Sequence, residues 1–271
     1  MSNLIGHRFS GGEQQSARDC FEDIGGNAIV YSYPNGDYDI VCASDAFWHG
    51  PGWEGAFAAE KPSAVRPSPR EKGKRSEGDD ALRSMRRARA KLRRLALSNE
   101  FDYFVTLTLD EKEVDRYEPK AIMAKVNRWL DNMVRRSGLR YVLVPEQHKD
   151  GAWHFHGFFA GDGLQAVDSG IRWDGREVYN LPQWTLGFTT AQRLYGEYSA
   201  AVAYVCKYIG KQQGQRPMGR WYYSGGQLQQ PAKTYVNLGY RDIEQEFDNE
   251  CVQFDIPGSK ILVVHHKGGK K

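Results

Sequence analysis

Apolar positions in the middle of the chain recur with two distinct periods, and these predict its elements. In residues 103–109, Tyr103-Phe104-Val105-Thr106-Leu107-Thr108-Leu109, β-branched and aromatic residues of high strand propensity alternate with period two. Residues 120–136 carry Ile122, Val126, Trp129, Leu130 and Met133 at the spacing of one helical face, and Gly138 supplies a stop. Residues 140–145 predict another strand, 146–151 a hairpin turn and 153–159 the returning strand. A further helix is expected over 198–211. Upstream, 28–33 and 38–42 flank the turn Pro34-Asn35-Gly36-Asp37 and predict a hairpin. Between these regions Asp80 could cap a helix running to about Leu97, with Leu82, Met85, Leu92 and Leu95 at helical spacing. This order predicts an α+β fold in which helices flank a central antiparallel sheet, with a small β-containing arm at the N-terminus.

Composition narrows the picture. The 271 residues can bury one substantial core and a small second unit. No stretch approaches the ~20 apolar residues needed to cross a bilayer. Met1-Ser2-Asn3-Leu4 has no basic start followed by an apolar run, so a cytoplasmic setting is expected, and no membrane partner. Cys20, Cys42, Cys206 and Cys251 form no CxxC pair, which argues against a disulfide scaffold or a four-cysteine zinc site. No GxxxxGK[ST] run is present, so P-loop ATPase chemistry is excluded.

The net charge of +3 conceals an asymmetry: −7 over residues 1–60, +8 over 61–100 and +2 over the remainder. The expected organisation is an acidic arm or small subdomain (1–60), a proline-containing linker (61–80), a basic helix (81–98), a main domain (99–225) and a C-terminal extension with a basic tail (226–271). Arg83, Arg86, Arg87, Arg89, Lys91, Arg93 and Arg94 make up the basic helix, with no acid between Arg83 and Arg94. A solvated charged face would also fit, but this density of cations points to phosphate contact. His265-His266 near the C-terminus is expected to be a frayed basic tail.

Two constellations carry chemistry. In Trp153-His154-Phe155-His156-Gly157, residues two apart on a strand share a face, so His154 and His156 project together while Phe155 points into a core. That pair is either packed surface or half of a divalent-metal site. In the helix at 198–211, Tyr204, Lys207, Tyr208 and Lys211 fall in one stripe, opposite Val202, Val205, Cys206 and Ile209. The stripe is either an ordinary amphipathic surface or two phenols poised beside ammonium groups. A phenol, with pKa ~10, becomes a useful nucleophile when cations favour phenolate and a metal activates the phosphorus.

With these residues the chain resembles the HUH endonucleases, in particular the two-tyrosine initiators of rolling-circle replication in single-stranded DNA phages. Phe104-Val105-Thr106-Leu107-Thr108 is similar to the family's first motif. His154-Phe155-His156 matches its histidine motif, and Tyr204-Val205-Cys206-Lys207-Tyr208 its nucleophile motif, in the family's order. Lys211 and Gly219-Arg220-Trp221-Tyr222-Tyr223-Ser224 look like its usual surroundings. The resemblance spans about residues 100–225 and implies an HUH, RRM-like sheet. It also implies Mg²⁺ or Mn²⁺ held by His154, His156 and a polar residue of the preceding strand. Glu146 is the preferred third ligand and His148 its competitor. Tyr204 and Tyr208 would be nucleophiles and Lys207 would assist them, with Lys211 a weaker candidate. Lys211, Arg220 and the basic helix would hold DNA. The implied activity is metal-dependent nicking and rejoining of single-stranded origin DNA through a 5′-phosphotyrosyl bond. The implied partners are that strand, the adjacent duplex or hairpin, and a helicase and replication proteins of a bacterial host. A relaxase or transposase using the same chemistry, and a noncatalytic DNA-binding regulator, are the alternatives.

Overall fold

The computed structural model describes residues 25–50, 77–196, 198–211, 216–248, 251–256 and 258–268. In chain order the strands and helices begin with β1 (Gly25–Gly26), β2 (Ala28–Ser32), β3 (Tyr38–Ala43), β4 (Trp48–His49), α1 (Glu77–Leu97) and β5 (Tyr103–Leu109). Next come α2 (Pro119–Ser137), β6 (Arg140–Gln147), β7 (Trp153–Ala160), β8 (Val167–Trp173), β9 (Arg176–Asn180), β10 (Gly187–Arg193) and α3 (Tyr198–Tyr208). The last elements are β11 (Tyr223–Gly225), β12 (Ala232–Val236), α4 (Tyr240–Glu246), β13 (Cys251–Ile256) and β14 (Ser259–His266). The fold is α+β as predicted, with four helices and three antiparallel sheets among the described residues. None of these helices is long and apolar enough to cross a membrane. Contacts divide the chain into two compact units, residues 71–230 and residues 1–70 with 231–271.

The larger unit is built on a seven-stranded sheet of order β11-β6-β7-β5-β10-β9-β8. β5 alternates buried and half-buried residues along its whole length, as its period-two sequence predicts. Its Tyr103, Val105, Leu107 and Leu109 lie in one core with Phe155 and Phe159 of β7 and the apolar stripe of α2. That stripe is the predicted one: Ile122, Val126, Trp129, Leu130 and Met133 are buried. Glu118 caps the helix by accepting a hydrogen bond from the Lys120 amide at 3.1 Å, Pro119 sits where a missing N–H costs nothing, and Gly138 ends it in the left-handed region (φ 62°). With one face closed by α2, the other carries Phe104, Thr106, Thr108, His154 and His156. α3 packs over β6 and β7 on that second face, with α1 behind it.

Three local expectations need correction. β6 does not stop at Pro145 but continues through Glu146 and Gln147, which pair with His154 and Trp153. β11 reaches only as far as Leu143, so the missing Pro145 N–H breaks no ladder on that side. α1 begins at Glu77, so Asp80 lies inside the helix and is not its cap. β8, β9 and β10 come from a stretch with no apolar alternation; every residue of β8 except Ser169 is exposed.

The smaller unit is a five-stranded sheet of order β12-β2-β3-β14-β13, plus the short β1–β4 pair. The predicted hairpin is present as β2 and β3, but its neighbours come from the far end of the chain: the Asn27 side chain donates to the Leu238 carbonyl across 211 positions of sequence. His265 is not a frayed tail. It ends β14 opposite Asp39 and bonds that fully buried carboxylate through Nδ1 at 2.8 Å, while the Tyr33 hydroxyl donates to its other oxygen at 2.6 Å. The expected linker at 61–80 lies, up to residue 76, outside the described residues.

Candidate active site

The face opposite α2 gathers the chemistry. Thr106 and Thr108 of β5 stand directly opposite His156 and His154 of β7, and each threonine Oγ meets the facing Nδ1, at 3.0 and 3.1 Å. These contacts fix both rings and leave each Nε2 to project, the usual orientation of ligating histidines. The Glu146 carboxylate, on the neighbouring strand, comes within 2.7 Å of His156 Nε2. The approach is out of line for a hydrogen bond, so this buried nitrogen keeps no hydrogen-bond partner. Burial pushes the His156 imidazole down to about 4, against the upward pull of the Glu146 charge. Burial and the nearby His148 also lower His154. Both rings are therefore neutral at pH 7, the form that ligates metals.

Helix α3 brings the phenols over this face. Val202, Val205 and Cys206 are buried beneath it, as the wheel predicts. Tyr208, expected to face outward, is buried instead, because its ring lies flat on the His156 imidazole at 4.1 Å between centroids. Tyr204 stays half exposed, edge-on to Phe104 and to Tyr208. The Tyr208 hydroxyl donates to the Tyr204 oxygen at 2.7 Å. Burial first, then this hydrogen bond, raise the Tyr208 pKa well above the ordinary phenol value. The helix ends at Tyr208, so Lys211 lies beyond it, where its ammonium binds Glu146 Oε1 at 2.6 Å and sits 4.5 Å above the Tyr208 ring. Lys207 is exposed and has no hydrogen bond or ion pair among the described residues.

In this way one face holds His154, His156, Glu146, Tyr204, Tyr208 and Lys211. His148, in the turn, lies against His154, with 4.2 Å between ring centroids. Among the described residues no three His, Cys, Asp or Glu side chains converge on a single point. A hard divalent cation fits the donor chemistry of the unpartnered His156 nitrogen and the Glu146 carboxylate. His154 stands one step along the same face.

The cations fall into two groups. Arg83, Arg86, Arg87, Arg89 and Lys91 are exposed along α1, and Arg93 and Arg94 are half-buried. Arg87 and Lys91 line a hollow of about 400 Å³ with Arg220, and sequence reasoning missed a fourth cation there, Arg216. No carboxylate lines this hollow. Ser84 ties its walls together, accepting hydrogen bonds from Arg216 at 3.2 Å and from the buried Trp221 indole at 3.1 Å. Arg216, Arg220 and Trp221 lie within six residues of chain, a cluster legible in sequence only once α1 is known to face it.

Residues 102–213 match a family model described as a replication-associated protein of the ORF2 type. The matched segment runs from β5 through α3 and includes every residue of the histidine–tyrosine face. It is similar to a replication-associated protein; α1 and Arg220 lie outside it. No curated protein and no solved structure matches the chain at a significant level.

Proposed function

We propose that the chain is a metal-dependent, site-specific single-strand DNA endonuclease and strand transferase that initiates and terminates rolling-circle replication. The observation that carries this reading is the stacking of a hydrogen-bonded tyrosine pair on His156, beside Glu146, within the replication-associated segment. His154, His156 and Glu146 would hold Mg²⁺ or Mn²⁺, with His148 the substitute for Glu146. A bound divalent ion would supply Lewis-acid polarisation of the scissile phosphate.

The residues of the chain do the rest. Tyr204, the accessible phenol, attacks phosphorus as its hydroxyl loses a proton. The Tyr204 O–P bond forms, the P–O3′ bond breaks, and the leaving 3′-oxygen takes up a proton. Tyr208 donates a hydrogen bond to the attacking oxygen and holds the second phenol in reserve. When the strand has been copied once, Tyr208 cleaves the regenerated site and the free 3′-hydroxyl attacks the first phosphotyrosine, closing a circle without ATP. Lys211 neutralises charge beside the phenols, and Lys207 contacts DNA from the outer surface of α3. The basic helix, with Arg220, grips duplex or hairpin DNA next to the nick through its phosphates. Unwinding must come from a host helicase.

The test is an SDS-resistant adduct between the protein and single-stranded origin DNA in Mn²⁺. The adduct is expected with wild type and absent from the Tyr204→Phe/Tyr208→Phe double variant. Undiminished cleavage by His154→Ala/His156→Ala would remove the metal assignment.

A further inference from the structure

On the face that carries His154, one aromatic ring is left over. Phe188 of β10 is 67% exposed, although β10 is an internal strand between β5 and β9. Register fixes its place. Phe188 stands opposite Thr108, Thr108 opposite His154, and His154 opposite Glu146. Residues paired across a sheet share a face, so these four form one row across four strands. Two strand spacings of about 4.8 Å put Phe188 roughly 10 Å from His154. The adjacent row, His156, Thr106 and Thr190, ends on β10 in another exposed residue. α3 covers β6 and β7. Over β5 and β10 the face is therefore a trough floored by Thr106, Thr108 and Thr190 and flanked by Phe188.

Single exposed aromatics occur on any surface, and phenylalanine suits strands. The contacts on this face set Phe188 apart. Phe104, His156, Tyr204 and Tyr208 are all engaged with one another. Phe188 has no ring partner among the described residues. Its hydroxyl neighbours are small enough to leave the ring face open. An unpaired nucleobase offers the matching flat surface when the strand's phosphate lies at His154 and Tyr204, and the backbone can then run along the trough.

We propose that Phe188 is a stacking platform that receives an unpaired base flanking the scissile phosphate. It positions the strand and does not read its sequence, since every base has a π-face. This inference rests on the single-strand DNA reading above.

The experiment is a binding comparison, by fluorescence anisotropy, of oligo(dT) of roughly 16 nucleotides with an abasic deoxyribose-phosphate oligomer of equal length. Phe188→Ala is expected to weaken oligo(dT) binding about 5- to 150-fold and to leave abasic binding unchanged. Phe188→Trp should retain wild-type affinity for oligo(dT). Equal losses on both oligomers, no loss on either, or a tryptophan variant as weak as alanine would overturn the platform. Wild-type binding and adduct formation would still stand in those cases, and so would the replication reading. A wild type that neither binds oligo(dT) nor forms an adduct with single-stranded DNA overturns both.

Discussion

At the scale of single residues, the two tyrosines are not equivalent. Tyr204 is half exposed and accepts a hydrogen bond, whereas Tyr208 is buried against His156, donates that bond and has its pKa pushed up. Tyr204→Phe should therefore abolish the initial adduct at neutral pH. Tyr208→Phe should slow its formation by up to about tenfold, the value of one hydrogen bond. A time course of adduct on denaturing gels measures both, and equal losses would contradict the asymmetry. His156 makes a second prediction. The unfolded imidazole takes up its proton near 6.5, while the folded one waits until about 4. Between those values the unfolded state binds more protons, so His156 lowers stability as pH falls from 6.5 towards 4. In chelator, thermal melts of His156→Asn should fall less steeply across that window than wild type; parallel curves would count against a buried neutral His156. The sequence revealed that the two histidines share a face. It could not show that Tyr208 lies flat on one of them, because a helical wheel gives direction but not what covers it.

At the scale of elements, legibility followed burial. β5 and α2 were plain in the sequence because each buries one side and exposes the other, leaving an alternating or 3.6-residue record. β8 buries almost nothing and β10 little more, so they left no such record, yet β10 forms one wall of the candidate site. Pro145 suggested a strand end that the short reach of β11 does not impose. β7 carries a sharper constraint. A Cβ added at Gly157 would run into the Val142 carbonyl oxygen, with the Leu143 Cα only 2.9 Å away. The obstruction is backbone and cannot rotate aside. Gly157→Ala is expected to lower stability by about 1–3 kcal/mol, read as a fall in the urea midpoint, and to shift His156, the next residue, enough to depress adduct formation. An unchanged midpoint would mean that β6 and β7 slide apart freely.

At the scale of the molecule, sequence reasoning treated the N-terminal hairpin and the C-terminal strands as separate segments. The structure makes them one sheet, with β2 between β3 and β12, and β14 against β3. No local pattern encodes a pairing of Asp39 with His265, which lie 226 positions apart. Removing residues 231–271 should therefore strip protection from the amides of β2 and β3 in hydrogen exchange, while β5, β6 and β7 remain protected. Loss of protection in both sets would mean that the seven-stranded unit depends on the other for its stability.

Because the smaller unit is assembled from both sides of the larger one, synthesis imposes an order on the two. As the chain leaves the ribosome, residues 71–230 are complete while β2 and β3 still wait for β12 and β14. Units that emerge whole tend to fold as they emerge. The tyrosine-bearing unit is thus expected to mature during translation, and the hairpin only once the last strands have been made. A ribosome stalled shortly after residue 230 would display a finished candidate site beside an unfinished sheet.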